Sequence, residues 1–170
     1  MSKNKSTLKL VEPNVDAETR VHADHHLSVR LWLRMLSCTN RIENFVRQNL
    51  QANFDTTLPR FDLMAQLERA PRGLKMRELS QRMMVTGANV TGITDGLEKE
   101  GLVVREVDSS DRRVFWVKLT PEGQKQFRRM AAEHEQWIIG LFEGMSQKSK
   151  NQLADLLGEL KRHISQLSDE

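Results

Sequence analysis

The sequence predicts a mainly α-helical protein with one small β-hairpin, and three observations predict it. Apolar residues recur at spacings of 3 and 4 over most of residues 29–167, the signature of helices with one buried face. The period drops to two in two short stretches, Leu102 to Arg105 and Val114 to Leu119. Start and stop signals fall where the periodic stretches meet: Pro59, Thr86, Gly101 and the run Thr120-Pro121-Glu122.

Taken in order, residues 1–24 are polar, contain Pro13 and show no period, as expected of a loosely attached arm. Leu31, Met35, Cys38, Ile42 and Phe45 then step by 4, 3, 4, 3, a seam suited to packing along another helix. Val29, Trp32, Leu33, Leu36 and Val46 add a second apolar flank, so this long helix needs a partner. After QANFDTT, Pro59 suits a first helical turn, and Phe61, Met64 and Leu67 carry the face of a helix that stops before Ala70-Pro71-Arg72-Gly73. A short helix over Met76 to Met84 presents Leu79 and Met83. Thr86 is placed to cap the next helix, in which Val90, Ile93 and Leu97 line one side and Gly101 closes the end. Two strands flank the turn DSSDRR. Beyond Thr120, Phe127, Met130, His134, Trp137, Leu141 and Met145 form one helical stripe. Leu153, Leu156, Leu157, Leu160, Ile164 and Leu167 form a last one. Helix, helix, short turn, helix, hairpin is the order of a winged helix-turn-helix, here flanked by further helices at both ends.

Bulk properties bound the function. The chain has 170 residues, 29% charged and 38% hydrophobic, enough for a core. No run of 18 apolar residues suggests a membrane span. A single cysteine excludes an internal disulfide, and the expectation is a reducing, cytoplasmic setting. Net charge is +3. Yet residues 72–113 hold eight Lys/Arg against seven Asp/Glu, so charge placement matters more than charge total. There is no phosphate loop, no nucleophile with its base and no tyrosine, so an enzyme is not expected, nor a cofactor.

The stretch VTGANVTGITDGLEKEGLV holds the main clue. Gly87, Gly92 and Gly96 each weaken the helix by about 1 kcal/mol relative to Ala, yet its buried spacing is intact. Such a surface lets a helix press close to another molecule. A recognition helix entering the DNA major groove, about 12 Å wide, has that need. Thr86, Gly87, Ala88, Thr91 and Gly92 leave little bulk between backbone and bases. Asn89 can pair with an adenine edge, and Thr91 or Thr94 can reach a thymine methyl or a phosphate. Arg112 and Arg113 sit at the hairpin turn, where an arginine can enter the flanking minor groove. One of the two is better used inside the protein, with Asp95 on the helix as its partner. Lys75, Arg77 and Arg82 flank the turn and suit phosphates.

From about Leu58 to Gly123 the chain resembles the MarR family of transcriptional regulators, on the strength of VTGANVTGITDGLEKEGLV, then DSSDRR, then VKLTPEG. The long entry helix and the two C-terminal helices are similar to that family's dimerisation part. The resemblance implies a homodimer that reads a pseudo-palindromic duplex, with an affinity altered by a small ligand, and a wing arginine paired with the helix acid: here Arg113 and Asp95. It divides the chain into an arm (1–24), a dimerisation helix (25–55), the winged helix-turn-helix (56–120) and C-terminal dimerisation helices (121–170). Gly92 and Gly96 stand where many members carry a basic residue, and Met84 where a glycine is common. Lys75 replaces the usual Ser/Thr cap.

More narrowly, TGANVTGITDGLE, DRRVFWVKLT and a helix carrying HEQW resemble members that respond to aromatic acids or their coenzyme A thioesters, such as hydroxycinnamoyl-CoA. The implied pocket draws on Trp32, Phe45, Arg60, Phe61, Met64, His134 and Trp137, with Arg60 for a carboxylate or phosphate. The expected protein is therefore a repressor released by an aromatic effector. The alternatives are a redox sensor through Cys38, which on the helical seam is expected to be buried and inert, and a winged helix that binds protein. His22, His25 and His26 with Asp24 invite a metal, but the set is incomplete, and no metal is expected.

Overall fold

The computed structural model describes residues 27–108, 111 and 113–167. The arm, and with it His22, Asp24 and the next two residues His25 and His26, lie outside the described residues. The order is α1 (Leu27–Phe54), α2 (Leu58–Glu68), β1 (Leu74–Lys75), α3 (Met76–Met83), α4 (Gly87–Lys99), β2 (Val103–Val107), β3 (Phe115–Leu119), α5 (Pro121–Leu141) and α6 (Gln147–Leu167). No helix among the described residues is long and apolar enough to cross a membrane.

The chain forms two units, one ending at Asn44 and one starting at Phe45. In the first, the described residues are the N-terminal part of α1. Its seam is not sealed: Leu27, Val29, Leu31, Trp32 and Leu36 are exposed, while Met35 and Ile42 are half-buried. Cys38 is exposed too, which corrects the expectation of a buried thiol.

The second unit holds the core. Val46 and Leu50 from the end of α1 are buried, as are Leu63, Met64 and Leu67 of α2, Leu79 of α3, Val90 and Leu97 of α4, Val117 of β3 and Met130 of α5. Pro59 lies in the first turn of α2, as its missing N–H allows. β2 and β3 pair antiparallel, Val103 opposite Leu119 and Val107 opposite Phe115. β1 adds a third strand on the far side of β3, with Leu74 opposite Val117 and Lys75 opposite Trp116. This strand was not expected, because two residues cannot display a period.

The joins follow the local signals. Gly101 has φ +74°, the left-handed conformation that ends α4. The Thr120 hydroxyl accepts from the Gly123 amide at 3.0 Å, capping α5. Gly123 itself is pressed on the sheet: a Cβ there would stand 1.9 Å from the Leu102 carbonyl oxygen. The sequence stripe running on to Met145 overshoots, because α5 ends at Leu141 and residues 142–145 form a turn. α6 forms as expected but buries no residue; Leu153, Leu156, Leu157, Leu160, Ile164 and Leu167 are all exposed.

Candidate nucleic-acid interface

The centre of the site is α4. Thr86 caps it by accepting from the Asn89 amide at 3.4 Å. Val90, Thr94 and Leu97 turn inward and are buried. Gly87, Ala88, Asn89, Thr91 and Gly92 are exposed, and a Cβ added at Gly87 or Gly92 would meet nothing within 4 Å. The bare face is therefore open, on a helix that α3 and the sheet hold from behind. Thr94 corrects one expectation. It is 0% exposed and donates its hydroxyl to the Val90 carbonyl at 2.7 Å, so it faces the core, not a base. Thr91 is exposed, with its hydroxyl bonded to the Gly87 carbonyl at 2.9 Å.

The turn before α4 is kept despite Met84. This residue takes φ 54° and ψ 37°, donates its amide back to α3, and is 93% exposed. Lys75, in place of a hydroxyl cap, donates its backbone amide to the Glu78 carboxylate at 2.8 Å. Its ammonium is engaged as well: it lies 3.5 Å from Asp108 Oδ2 and 5.0 Å from the centre of the Trp116 ring. The Trp116 indole N–H donates to the same carboxylate at 2.7 Å. Lys75 thus ties all three strands together at the root of the wing, a role in addition to the phosphate contact expected of it. Arg77 and Arg82 are exposed beside the turn, as phosphate contacts require.

The expected pair between Asp95 and Arg113 is replaced by two others. Arg113 is 90% exposed and turns to Asp111, its Nε donating to Oδ1 at 3.1 Å. That hydrogen bond is the main reason the Asp111 carboxyl lies below its ordinary pKa. Asp95 receives Arg105 of β2 instead, at 2.5 Å. The Arg105 guanidinium also donates to Glu98 at 2.8 Å, and the Arg105 backbone amide donates to the other Glu98 oxygen at 3.1 Å. Arg105 was missed because, within an alternating strand, it reads as an ordinary outward-facing residue. Arg112 lies outside the described residues.

All the ligand candidates but Trp32 lie in the second unit. Met64 is 1% exposed and Phe61 7%, so both pack in the core of the second unit. Phe61 stacks near His134 at 5.0 Å, and His134 meets Trp137 edge-on at 6.4 Å. Burial holds the His134 pKa below the ordinary imidazole value. Phe45 is partly exposed. Arg60 points to the end of α4 and pairs with Glu100, while its Nε is buried with no hydrogen-bond partner among the described residues. Trp32 is exposed on the first unit. A cleft of about 620 Å³ opens beside the end of α1 and the start of α5, lined by Phe54, Glu122, Lys125 and Arg129 among others; it includes neither Arg60 nor His134.

A capped, side-chain-poor helix, open outward and backed by a two-stranded wing, defines a winged helix-turn-helix DNA-binding protein. The sequence pattern described as the MarR family matches residues 56–115. The chain is 29% identical over 154 residues to the HTH-type transcriptional repressor YetL of Bacillus subtilis (strain 168), covering 90% of this chain and 91% of that one. A MarR family transcriptional regulator from Silicibacter pomeroyi superposes with a TM-score of 0.69 at 30% identity, over 80% of this chain and 94% of that one. CouR from Rhodococcus jostii RHA1, solved bound to p-coumaroyl-CoA, gives 0.67 at 24% identity over the same shares. The chain belongs to the MarR family of transcriptional regulators. Regulators of this family bind DNA and act as dimers.

Proposed function

We propose that this regulator is a homodimeric repressor that grips a pseudo-palindromic duplex and lets go when a small aromatic acid, or its coenzyme A thioester, binds. The observation that carries the reading is the open face of α4. Gly87, Ala88 and Gly92 allow the backbone to approach the bases, and Asn89 is the side chain placed to read one. With no cationic side chain among residues 87–92, much of the specificity falls to groove shape. Arg77 and Arg82 take phosphates, and Arg112 and Arg113 reach the flanking minor groove. Two copies place their α4 helices about 34 Å apart, one turn of duplex.

The repressor sign is supported by the likeness to YetL, which is named a repressor. The aromatic effector is supported by the rings of His134 and Trp137 beside Phe61, and by the fold shared with CouR. An effector acts only through its preference for the form that does not bind DNA: a tenfold preference shifts the equilibrium by about 1.4 kcal/mol. The test selects duplexes from a randomised pool and measures their release by fluorescence anisotropy on adding hydroxycinnamates or their coenzyme A thioesters. Selection of a two-fold symmetric site and its release by one of these compounds is expected. Failure to prefer any duplex at moderate salt would sink the DNA reading, and selection without release would sink the effector.

A further inference from the structure

We propose that Arg105 is a positioning residue for DNA recognition: it fixes the rotation of α4 about its own axis, and so sets which bases the bare face reads. The inference rests on the DNA-binding reading above. The need arises from the glycines. A helix whose groove face carries so little side chain has few contacts of its own to fix its angle in the groove, and its orientation must come from behind.

Core packing supplies one line of support. Val90, Thr94 and Leu97 are buried at i, i+4 and i+7. One line leaves the helix able to roll. Arg105 supplies a second, on different residues. Its guanidinium donates to Asp95 at 2.5 Å, to Glu98 at 2.8 Å and to the Thr91 carbonyl at 3.5 Å. Thr91, Asp95 and Glu98 again stand at i, i+4 and i+7. At 3.6 residues per turn this stripe lies about 100° around the helix from the buried one. Two lines so far apart define the roll angle. The anchor itself is stiff: the Arg105 amide is bonded to Glu98 Oε1 at 3.1 Å, Arg105 pairs with Val117 across the sheet, and its side chain is only 21% exposed.

The magnitudes make the roll angle consequential. With Cα atoms about 2.3 Å from the axis, a 20° roll shifts the backbone by about 0.8 Å. The tip of Asn89, roughly twice as far out, moves by more than 1.5 Å. A hydrogen bond to a base edge tolerates only a few tenths of an ångström. The guanidinium is suited to the task because its planar fork serves two carboxylates at once, which an ammonium does with less definition.

The experiment compares the duplex selected by the unaltered protein with a scrambled duplex of equal length, for Arg105→Gln, Arg105→Lys and the double variant Asp95→Asn/Glu98→Gln. The first removes a positive charge and the double variant removes two negative ones. Any general electrostatic effect on duplex affinity therefore has opposite signs in the two. The expected result is a fall of at least tenfold in the ratio of selected to scrambled affinity in both, with an unchanged salt slope and Arg105→Lys intermediate. An unchanged ratio in the double variant overturns the proposal, even where Arg105→Gln folds poorly. So does an equal loss on both duplexes with a shallower salt slope, which marks a phosphate contact. If the unaltered protein selects no duplex, the DNA-binding reading fails first, before any variant is compared.

Discussion

Met84 holds a backbone conformation that costs an L-residue about 1 kcal/mol, and at 93% exposed the residue has little packing to lose. Met84→Gly is therefore expected to raise stability by about 1 kcal/mol, read as a higher urea midpoint at constant slope. Gly92 is the converse case. It sits inside α4 with open space around its missing Cβ, so Gly92→Ala is expected to gain about 0.5–1 kcal/mol of stability while weakening duplex binding, as its methyl enters the groove. Stability and affinity moving in opposite directions is the mark of a glycine kept for contact; both rising together would count against the groove assignment. The glycine face was legible in the sequence because a buried spacing survived three helix-weakening residues. The partner of Asp95 was not. Arg105 and Arg113 both lie on the hairpin, and only the pairing of Arg105 opposite Val117 shows which one stands under the helix. The tie made by Lys75 was hidden for a similar reason: it depends on a two-residue strand that brings Lys75 across from Trp116.

At the scale of elements, α4 is held on two sides, by β2 through Arg105 and by α2 through the pair of Arg60 with Glu100. The helices, their caps and the hairpin followed from period and punctuation, because those are local properties. β1 and the end of α5 did not, since they depend on what the chain packs against. The second tie also bears on the effector. Arg60, the cation proposed for an aromatic acid's carboxylate, is paired with Glu100. On the proposed reading, an acid that took Arg60 would free the end of the recognition helix, so that binding the acid and holding α4 would compete for one guanidinium. Glu100→Gln removes the competitor. A part-exposed ion pair contributes about 0–1 kcal/mol. The expected outcome is thus aromatic-acid binding up to about fivefold tighter by thermal shift, with duplex affinity in the absence of acid reduced by a similar factor. Tighter acid binding with no change in duplex affinity would detach Glu100 from the reading helix.

For the whole molecule, the leucines of α6 present a problem that one chain does not solve. Six large apolar side chains along one helix are exposed, and no residue of α6 is buried. Apolar surface buried against a partner is worth about 25 cal/mol per Å², and a second copy of the chain is the partner the family's dimers indicate. Leu157→Glu with Leu160→Glu is accordingly expected to leave the winged unit folded, because that unit's core draws nothing from α6, while sedimentation shows a monomer at micromolar concentration. The consequence for DNA is larger than for folding. In a dimer the second half-site is bound at an effective concentration in the millimolar range, so linkage strengthens binding by about 10²–10⁴-fold without any new contact. The monomer retains α4, the wing and every contact to one half-site, and loses only that factor. Affinity for a full site should then fall to that for a single half-site, with the salt slope roughly halved because half the phosphates are engaged. A monomer that still bound the full site at the dimer's affinity would mean that one chain, not two, carries the recognition.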